Sequence, residues 1–478
     1  MKLYNTQTKQ IEDIKPLDPP TVSVYTCGPT VYDYPHVGNW FTFVRYDLLI
    51  RSLKLAGLTP KWVMNITDVG HLVSDADDGE DKLEKGARRE GKTAWDVAKF
   101  YGDYFQDALK RLNISQPGYL TKATEHIQEQ IELVILLQNK GFTYTIDDGV
   151  YFDTAKFPQY GDFAQLDLDE QQAGARVTYN QQKRNPTDFA LWKFSPAGQQ
   201  RDMEWDSPFP APDGQARKGF PGWHLECSAM AMKYLGETID IHSGGIDHIP
   251  VHHTNEIAQS QAATGKPFSQ YWMHANHISI EGEKISKSLG NGITLEDIEA
   301  KGYSLEVFRL HVLESHYRSQ SKFSWDSLEA AKNRLHALQA FADLRFQAST
   351  DAEPHGADYF ADKQQEMTAA IKDDLSTPEA LRILSQVVDQ AGQTKLTFED
   401  ASHLEVFIDF VDSALGLSLG KRQAISIEQQ KLVTERDAAR ADKDWSESDR
   451  LRDLLQEQGI SLRDTGLGAL WSHIDSPI

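Results

Sequence analysis

The feature that most constrains the fold is a strand–loop–helix–strand unit near the N-terminus of the chain. The apolar run VSVYTCG at 22–28 predicts a short strand, and the loop PTVYDYPHVGNW follows it. Apolar residues at helical spacing then predict a helix over 41–55, and KWVMNIT at 61–67 predicts a second strand. Such a unit is typical of a parallel sheet, in which ligands bind at the carboxyl ends of the strands.

The same pattern returns much later in the chain. TIDIHSGGIDHIP at 238–250 predicts a strand that runs into a pair of glycines, and the helix after it is predicted to end at Gly265. Between the two parts, residues 116–220 are less regular and contain a predicted helix over 125–141 and a polar, proline-containing stretch. We therefore expect an α/β, Rossmann-like domain whose two halves are separated by an insertion.

The remainder of the chain is predicted to be mainly helical. LEAAKNRLHALQAFADLRF carries apolar residues at helical spacing, and further helices are predicted to about Leu417. From about Lys421 the sequence predicts one charged helix and then a short β-like tail. These patterns indicate an α-helical bundle followed by a small C-terminal domain.

Composition limits the class of protein. A chain of 478 residues with 40% hydrophobic and 25% charged residues is typical of a globular protein with several domains. The formal net charge of −22 argues against a protein that coats nucleic acid non-specifically, although local basic tracks could still bind one. The first residues lack the apolar core of a signal peptide, and no run approaches the ~18 apolar residues of a membrane span. We expect a cytoplasmic protein that does not enter a membrane.

Two short motifs carry candidate chemistry. His36-Val37-Gly38-Asn39 lies between the first strand and helix, where glycine allows a nucleotide to approach and His36 and Asn39 could donate to phosphate. In Lys284-Ile285-Ser286-Lys287-Ser288, two lysines could stabilise negative charge that develops on a phosphate. Taken separately, the first motif would more often than not be chance, and the second would more often be a solvated surface loop.

In combination, the two motifs resemble the signature pair of class I aminoacyl-tRNA synthetases. Their order, their wide separation and the strand–helix–strand context all fit that family. The resemblance implies a class I catalytic domain that binds ATP through His36, Gly38, Asn39, Lys284, Ser286, Lys287 and Ser288. His36, Asn39, Lys284 and Lys287 would be catalytic, and Mg²⁺ would accompany the phosphates. Many class I enzymes have histidine in place of Asn39, and asparagine can still donate to phosphate.

Both cysteines of the chain belong to a third set of residues. Cys27 ends the first predicted strand, and Cys227 lies in GWHLECSAM. His252 and Glu256 stand at i and i+4 on one face of a predicted helix. Thiolates, an imidazole and a carboxylate are all competent zinc ligands. Buried inert thiols are the alternative for the cysteines, and the spacing leaves His253 open as the histidine.

The sequences around these residues, YTCGPTVYDY, GWHLECSAM and HHTNEIAQS, are similar to those of cysteinyl-tRNA synthetases, which bind zinc through two cysteines, a histidine and a glutamate. The resemblance selects His252 and makes Cys27, Cys227, His252 and Glu256 the zinc ligands. Serine differs from cysteine by one atom, which pocket shape alone discriminates poorly. Because a soft thiolate binds zinc and a neutral hydroxyl is a poor ligand, the zinc would sense the substrate side chain.

The resemblance also implies roles for Gly28, Thr67, Trp223 and Asp247 in holding the substrate cysteine, because they lie in the matching motifs CGPT, NITD, GWH and GGID. By residue type alone, Trp223 is more typical of a core, whereas Asp247 suits the substrate ammonium. An acidic stretch at 69–79 is longer than the usual link in the family. We interpret it as a mobile acidic loop rather than as a second metal site.

The resemblance covers nearly the whole chain, since NPTDFALWK, DDLSTPEAL and the C-terminal tail also match. It implies that a monomer activates L-cysteine with ATP and transfers it to tRNA(Cys). One alternative is a related ligase that joins cysteine to an amino sugar, which should lack the long C-terminus, and another is a non-catalytic tRNA- or zinc-binding paralogue. The expected regions are two catalytic halves at 1–115 and 221–270, the insertion at 116–220, a linker with the KISKS loop at 271–326, a tRNA-contacting helical domain at 327–420 and an anticodon-recognition region at 421–478.

Overall fold

The computed structural model describes residues 1–70, 81–166, 180–196, 198, 201–280, 283–284, 292–356 and 358–474. The strands are β1 (Lys2–Asn5), β2 (Gln10–Asp13), β3 (Thr21–Thr26), β4 (Thr59–Ile66), β5 (Tyr119–Lys122), β6 (Thr143–Ile146), β7 (Gly149–Phe152), β8 (Phe189–Phe194), β9 (Trp205–Pro210), β10 (Ala216–Pro221), β11 (Ile239–Gly245), β12 (Ser269–Ala275), β13 (Ile278–Ile280), β14 (Glu283–Lys284), β15 (Ser321–Phe323), β16 (Ile460–Thr465) and β17 (Gly468–His473). The α-helices are α1 (Val37–Leu55), α2 (Lys82–Glu90), α3 (Ala94–Arg111), α4 (Ile127–Asn139), α5 (Trp223–Leu235), α6 (Thr254–Thr264), α7 (Leu295–Ala300), α8 (Leu305–Leu313), α9 (Trp325–Ala342), α10 (Tyr359–Lys372), α11 (Thr377–Ala391), α12 (Phe398–Leu415), α13 (Ile427–Ala441) and α14 (Trp445–Glu457). Within the described ranges, no helix is both long and apolar enough to cross a membrane.

Five parallel strands form the central sheet, in the order β12–β11–β3–β4–β5. Neighbouring residues of a strand point to opposite faces, so Val24 belongs to the core on the α1 side and Tyr25 to the core on the other side. Because both faces of the sheet are covered, successive residues of β3 from Val24 to Thr26 are all buried. The two predicted halves of the sheet meet where β11 pairs with β3.

An antiparallel sheet, in the order β6–β7–β8–β10–β9, forms the insertion. It shares a hydrophobic core with α4, α5 and α6, on the face of the parallel sheet opposite α1. The inserted sheet starts later than the expected limit of 116, because β5 pairs with β4 as the edge strand of the parallel sheet.

Helices α9 to α12 form the predicted bundle, and they share one hydrophobic core with α1 and α8. Phe41 on α1 packs edge-on against Phe308 on α8, with ring centroids 5.5 Å apart. A small sheet, β14–β13–β15, links the two parts, since β13 follows β12 and β15 precedes α9. The bundle is therefore an extension of the catalytic core.

The C-terminal domain consists of α13, α14 and the hairpin β16–β17. Its own small core contains Ile425, Leu455, Ile460 and Trp471. The prediction of a single charged helix here is wrong, because the helix breaks at 442–444. Lys443 adopts a left-handed φ of 61°, and the Asp444 side chain accepts a hydrogen bond from the N–H of Glu447 and so starts a new helix.

Candidate active site

The carboxyl ends of four parallel strands bring the candidate residues to one edge of the sheet. Cys27 directly follows β3 and Thr67 directly follows β4. Asp247 lies just beyond β11, and Asn276 directly follows β12. This edge is where parallel sheets bind their ligands.

A cavity of about 200 Å³ opens at the N-terminus of α1. Its walls are formed by His36, Gly38, Asn39, Thr42, Gly245, Asp247, Ala275, Asn276, His277 and Ile278. His36 Nδ1 accepts a hydrogen bond from the N–H of Asn39 at 3.3 Å, and Asn39 Oδ1 accepts one from the N–H of His36 at 3.1 Å. A Cβ atom at Gly38 would lie 2.9 Å from the His36 ring, so a side chain there would close the cavity mouth. The helix N-terminus favours an anionic ligand such as a phosphate.

A buried cluster of four donors, Cys27, Cys227, His252 and Glu256, lies at the same edge. Their ligand atoms are all within 4.8 Å of one another. His252 lies on a single π-helical turn, Ile249–His253, that runs into α6, and its Nε2 is 3.1 Å from Glu256 Oε1. Among the described residues, Glu256 Oε1 has no hydrogen-bond partner although it is fully buried. Two sulfurs, an imidazole and a carboxylate oxygen that converge in this way fit a divalent metal ion such as zinc.

The protonation of the cluster follows from its burial. A hydrogen bond from Cys27 lowers the pKa of Cys227 to about 7 although burial opposes this, and burial raises the pKa of Cys27. Burial also opposes ionisation of Glu256, but the charges of His242 and His252 lower its pKa to about 2. The cluster thus already contains the anionic groups that a cation requires.

A second set of donors overlaps the first. Cys27, His242, His253 and Glu256 also lie within 4.8 Å of one another. His242 Nε2 is 2.9 Å from Glu256 Oε2, and His253 Nε2 is 3.4 Å from the Cys27 sulfur. The geometry thus places both adjacent histidines within reach of Glu256, but only the set with His252 uses both cysteines.

The environments of the two histidines differ. Burial would lower the pKa of His252, but Glu256 and Cys227 raise it to about 10. Burial and the neighbouring His242 and His274 instead hold the pKa of His253 well below its usual value. His252 is therefore dominated by the anionic donors, whereas His253, whose Nδ1 is 2.7 Å from His274 Nε2, is dominated by burial and by other imidazoles.

The proposed substrate residues surround this cluster. The N–H of Gly28 donates to Asn65 Oδ1 at 2.8 Å, and Asn65 in turn donates to the Thr67 hydroxyl at 3.0 Å. A Cβ atom at Gly28 would lie 1.7 Å from the Asn65 carbonyl oxygen, so only glycine fits. The Thr67 hydroxyl donates to Glu226 at 2.9 Å.

Trp223 and Asp247 are substrate candidates whose side chains have exposed surface. Trp223, which residue type alone assigned to a core, is only partly buried and lies beside His252, with ring centroids 4.9 Å apart. Asp247 is exposed and forms part of the wall of the nucleotide cavity. Both are therefore accessible to a small ligand between the cavity and the cluster.

Some candidate residues lie outside the described part of the chain. Ser286, Lys287 and Ser288 are among them, as is most of the acidic stretch at 69–79. Lys284 is described only as the last residue of β14.

Sequence reasoning missed several residues that the fold brings to the cluster. Glu226 and four further histidines, His224, His242, His248 and His274, pack around it. Glu226 could have been noticed as a carboxylate one position before Cys227. His242 and His274 lie on β11 and β12, and no local pattern distinguishes them.

Comparison with known proteins gives matches to two family models and to full-length relatives. The family model of the tRNA synthetases class I (C) catalytic domain matches residues 13–333, and that of the cysteinyl-tRNA ligase anticodon binding domain matches residues 422–471. The cysteine–tRNA ligase of Treponema denticola is 40% identical over 498 aligned residues, covering 99% of this chain and 100% of the relative. Cysteine–tRNA ligase 1 of Burkholderia lata is 42% identical and covers 98% of this chain and 96% of the relative.

Solved structures share the fold. Methionyl-tRNA synthetase of Mycobacterium tuberculosis, in complex with methionyl-adenylate, superposes with a TM-score of 0.59 at 15% identity and covers 84% of this chain and 92% of its own. A LeuRS of Agrobacterium radiobacter, in a ternary complex with tRNA and LeuAMS, gives 0.60 at 11% identity, with 86% of both chains covered. The predicted class I fold is thereby confirmed. Since the two family models and the full-length relatives all agree, this chain belongs to the cysteine–tRNA ligase family of the class I tRNA synthetases.

Proposed function

We propose that this chain activates L-cysteine with ATP and transfers it to tRNA(Cys), and that Cys27, Cys227, His252 and Glu256 hold a zinc ion for substrate selection. The supporting observation is the proximity of the donor cluster to the nucleotide cavity. The carboxyl end of β11 and the turn after it connect them: Gly245 and Asp247 line the cavity, and a Cβ atom at Gly244 would lie 2.5 Å from the His253 ring. A small amino acid between them would direct its carboxylate to ATP and its side chain to the donors.

Residues around the donor cluster hold its side chains in place. His242 holds Glu256 Oε2, and Glu256 Oε1 lies 3.1 Å from His252 Nε2, within the donor cluster. When bound, zinc would supply a soft Lewis acid that accepts a thiolate and rejects a neutral hydroxyl. Partly buried Trp223 lies beside His252 and would exclude water from the substrate side chain.

The nucleotide cavity supports adenylate formation. A substrate carboxylate oxygen would attack the α-phosphorus of ATP, and pyrophosphate would leave with the electron pair of the broken P–O bond. The N-terminus of α1, with His36 and Asn39, would bind the phosphates, and Mg²⁺ would neutralise them. Lys284 and Lys287 would add positive charge as the transition state forms, with Ser286 and Ser288 beside them.

The substrate ammonium needs an acidic partner near the cavity. The exposed carboxylate of Asp247 is in position to accept from it. Gly28 allows the substrate to approach the backbone closely, because no side chain fits there. Thr67, held between Asn65 and Glu226, would orient the body of the substrate.

The C-terminal domain favours a tRNA over an amino sugar as the acceptor. The match at 422–471 is to an anticodon binding domain, which adenylate chemistry does not require. A protein reads the unpaired bases of an anticodon far from the site of acylation. The amino-sugar ligase and the non-catalytic paralogue do not account for both this domain and the complete donor cluster.

Amino-acid-dependent ATP–pyrophosphate exchange tests the proposal. We expect exchange with cysteine and much less with serine, one zinc per chain by elemental analysis, and charging of tRNA(Cys). Exchange with serine as fast as with cysteine would contradict the zinc-based selection. Ligation of cysteine to an amino sugar, without charging of tRNA, would contradict the acceptor.

A further inference from the structure

Asp374 is a buried carboxylate of the helical bundle that faces the catalytic half. It lies between α10 and α11 in the motif DDLSTPEAL and is 3% exposed. Asp374 and Leu375 both adopt a left-handed φ of 56°. This conformation is uncommon outside glycine and is tolerated best by Asp and Asn, so two such residues in succession mark a strained turn with a specific purpose.

The turn binds three consecutive residues of the segment between α8 and β15. Asp374 Oδ1 accepts from the Tyr317 hydroxyl at 2.6 Å, and Oδ2 accepts from Arg318 Nε at 2.7 Å. The Asp374 carbonyl oxygen accepts from His316 Nε2 at 2.8 Å. Oδ1 also accepts from the N–H of Tyr4 at 2.7 Å. The carboxylate and the backbone carbonyl of a single residue, Asp374, therefore fix the segment 316–318.

The same segment holds the wall of the nucleotide cavity. The N–H of Asn276 donates to the Tyr317 carbonyl at 2.8 Å, and Asn276 Nδ2 donates to the Arg318 carbonyl at 2.8 Å. Asn276 and the next residue, His277, line the cavity opposite His36. Tyr317 and Arg318 therefore connect Asp374 to a residue of the cavity wall, since their side chains bind Asp374 and their carbonyl oxygens bind Asn276.

We propose that Asp374 is a positioning residue for ATP: it fixes the backbone of 316–318, which in turn fixes Asn276 in the cavity wall. The inference rests on the proposed function only in taking the ligand of this cavity to be ATP. It assigns to the helical bundle a part in adenylate formation, in addition to its part in holding tRNA. The bundle thus contributes to the first step of the reaction without touching a substrate.

Asp343 provides a matched control within the same bundle. It is fully buried and accepts from Arg422 Nε at 2.7 Å and from the other guanidinium nitrogen at 2.8 Å. It also accepts from the N–H of His473 at 3.3 Å. Asp343 therefore holds an arginine as Asp374 does, but it faces the C-terminal domain rather than the nucleotide cavity.

The test compares Asp374→Asn with Asp343→Asn in the full-length chain. Asparagine tolerates the left-handed backbone, so the first variant removes the charge and keeps the turn. Both variants should lower the Tm, but only Asp374→Asn should raise the KM for ATP in cysteine-dependent exchange, by about tenfold, the effect of one lost charge-assisted hydrogen bond. The KM for cysteine and the zinc content should be unchanged. An equal rise in the KM for ATP in both variants, or no rise in either, would overturn the proposal.

A second variant covers the case in which Asp374→Asn does not fold. Tyr317→Phe removes one hydroxyl and leaves the ring, and it should raise the KM for ATP by roughly threefold because a neutral hydrogen bond is weaker. An unchanged KM for ATP in this variant would overturn the inference. Calorimetry of ATP binding distinguishes a failure of the proposed function from a failure of the positioning role of Asp374. If the unaltered chain binds ATP but does not exchange with cysteine, the proposed function fails, while weaker binding by Asp374→Asn than by Asp343→Asn still supports the positioning role.

Discussion

The donor cluster and the C-terminal domain place their charged residues in opposite surroundings. The four donors are at most 5% exposed, and they are held by the extended core between the parallel sheet and the insertion. The C-terminal domain has a core of only four residues, and the side chains of Arg450 and Arg452 are 61% and 47% exposed in their ion pairs with neighbouring acids. Trp445 is 56% exposed. We infer that the core fixes the geometry that selects a small substrate, whereas hydrated charges on the surface bind a large polyanion.

This difference predicts unequal sensitivity to substitution. Removal of one member of a buried charged cluster leaves its partners desolvated and unpaired, which is strongly destabilising. An exposed ion pair contributes only about 0–1 kcal/mol. Each prediction below either tests or refines this contrast.

Loss of a cysteine should have the largest effect. In Cys227→Ser we expect less than one zinc per chain and a fall in cysteine-dependent exchange on the order of 10²-fold or more, because a serine hydroxyl is a poor zinc ligand at neutral pH. Elemental analysis and exchange kinetics measure the two effects. Ala229→Ser, on the same buried helix α5 but outside the cluster, is the matched control and should keep its zinc. A Cys227→Ser enzyme that was metal-free and fully active would refute the role of the cluster.

The composition of this cluster could be predicted in large part from the sequence. His252 and Glu256 stand at i and i+4 on one helix face, and the family resemblance adds Cys27 and Cys227 to them. The strand ends that carry Cys27 and Thr67 follow from the βαβ pattern. The supports of the cluster could not be predicted. His242 lies on β11, 14 residues before Glu256, and its contact with that carboxylate depends on how the chain between them folds, which local periodicity does not contain.

Other elements also depend on tertiary contacts that local sequence patterns do not predict. The sequence predicted the helix that carries His252 and Glu256, but not the π-helical turn that brings both His252 and His253 to Glu256. It predicted helices in the bundle, but the direction in which Asp374 faces depends on a left-handed turn that tertiary contacts impose. The break at Lys443 is a comparable case, since charged residues on both sides are compatible with an unbroken helix.

Substitution of the adjacent histidines, His252 and His253, should have the next largest effect. His252→Ala should lose zinc and cysteine-dependent exchange, because it removes the only imidazole of the donor set that uses both cysteines. His253→Ala should keep most of both, because its ring contacts His274 and the Cys27 sulfur from outside that set. The two variants are each other's control, with zinc content and exchange measured on the same samples. The reverse ranking would identify Cys27, His242, His253 and Glu256 as the metal site.

Deletion of the C-terminal domain should slow tRNA charging without affecting cysteine-dependent exchange. A chain that ends at residue 421 retains the helical bundle. A cut near Ser327 would remove the bundle and expose the hydrophobic core that it shares with the catalytic half. We expect this chain to keep cysteine-dependent exchange and to charge tRNA on the order of 10²-fold more slowly, since the remote contacts to the tRNA are lost. The Tm of the shortened chain checks that it folds. Normal charging without the domain would show that the anticodon end is not needed.

The smallest expected effect comes from the surface ion pairs. Charging of tRNA should fall by about tenfold between about 50 and about 200 mM salt, because a few phosphate contacts release counterions, whereas exchange with cysteine should hardly change. Arg450 and Glu447 form one exposed ion pair on α14, so Arg450→Gln and Glu447→Gln break the same pair at the same small cost in stability. If Arg450 faces the tRNA backbone, Arg450→Gln should weaken tRNA binding about threefold and flatten its salt dependence, whereas Glu447→Gln should strengthen binding by removing a repulsive charge. Filter binding with tRNA(Cys) at several salt concentrations measures both. Equal weakening by the two substitutions would mean that the ion pair acts through the fold of the domain, and that the surface charges bind no phosphate.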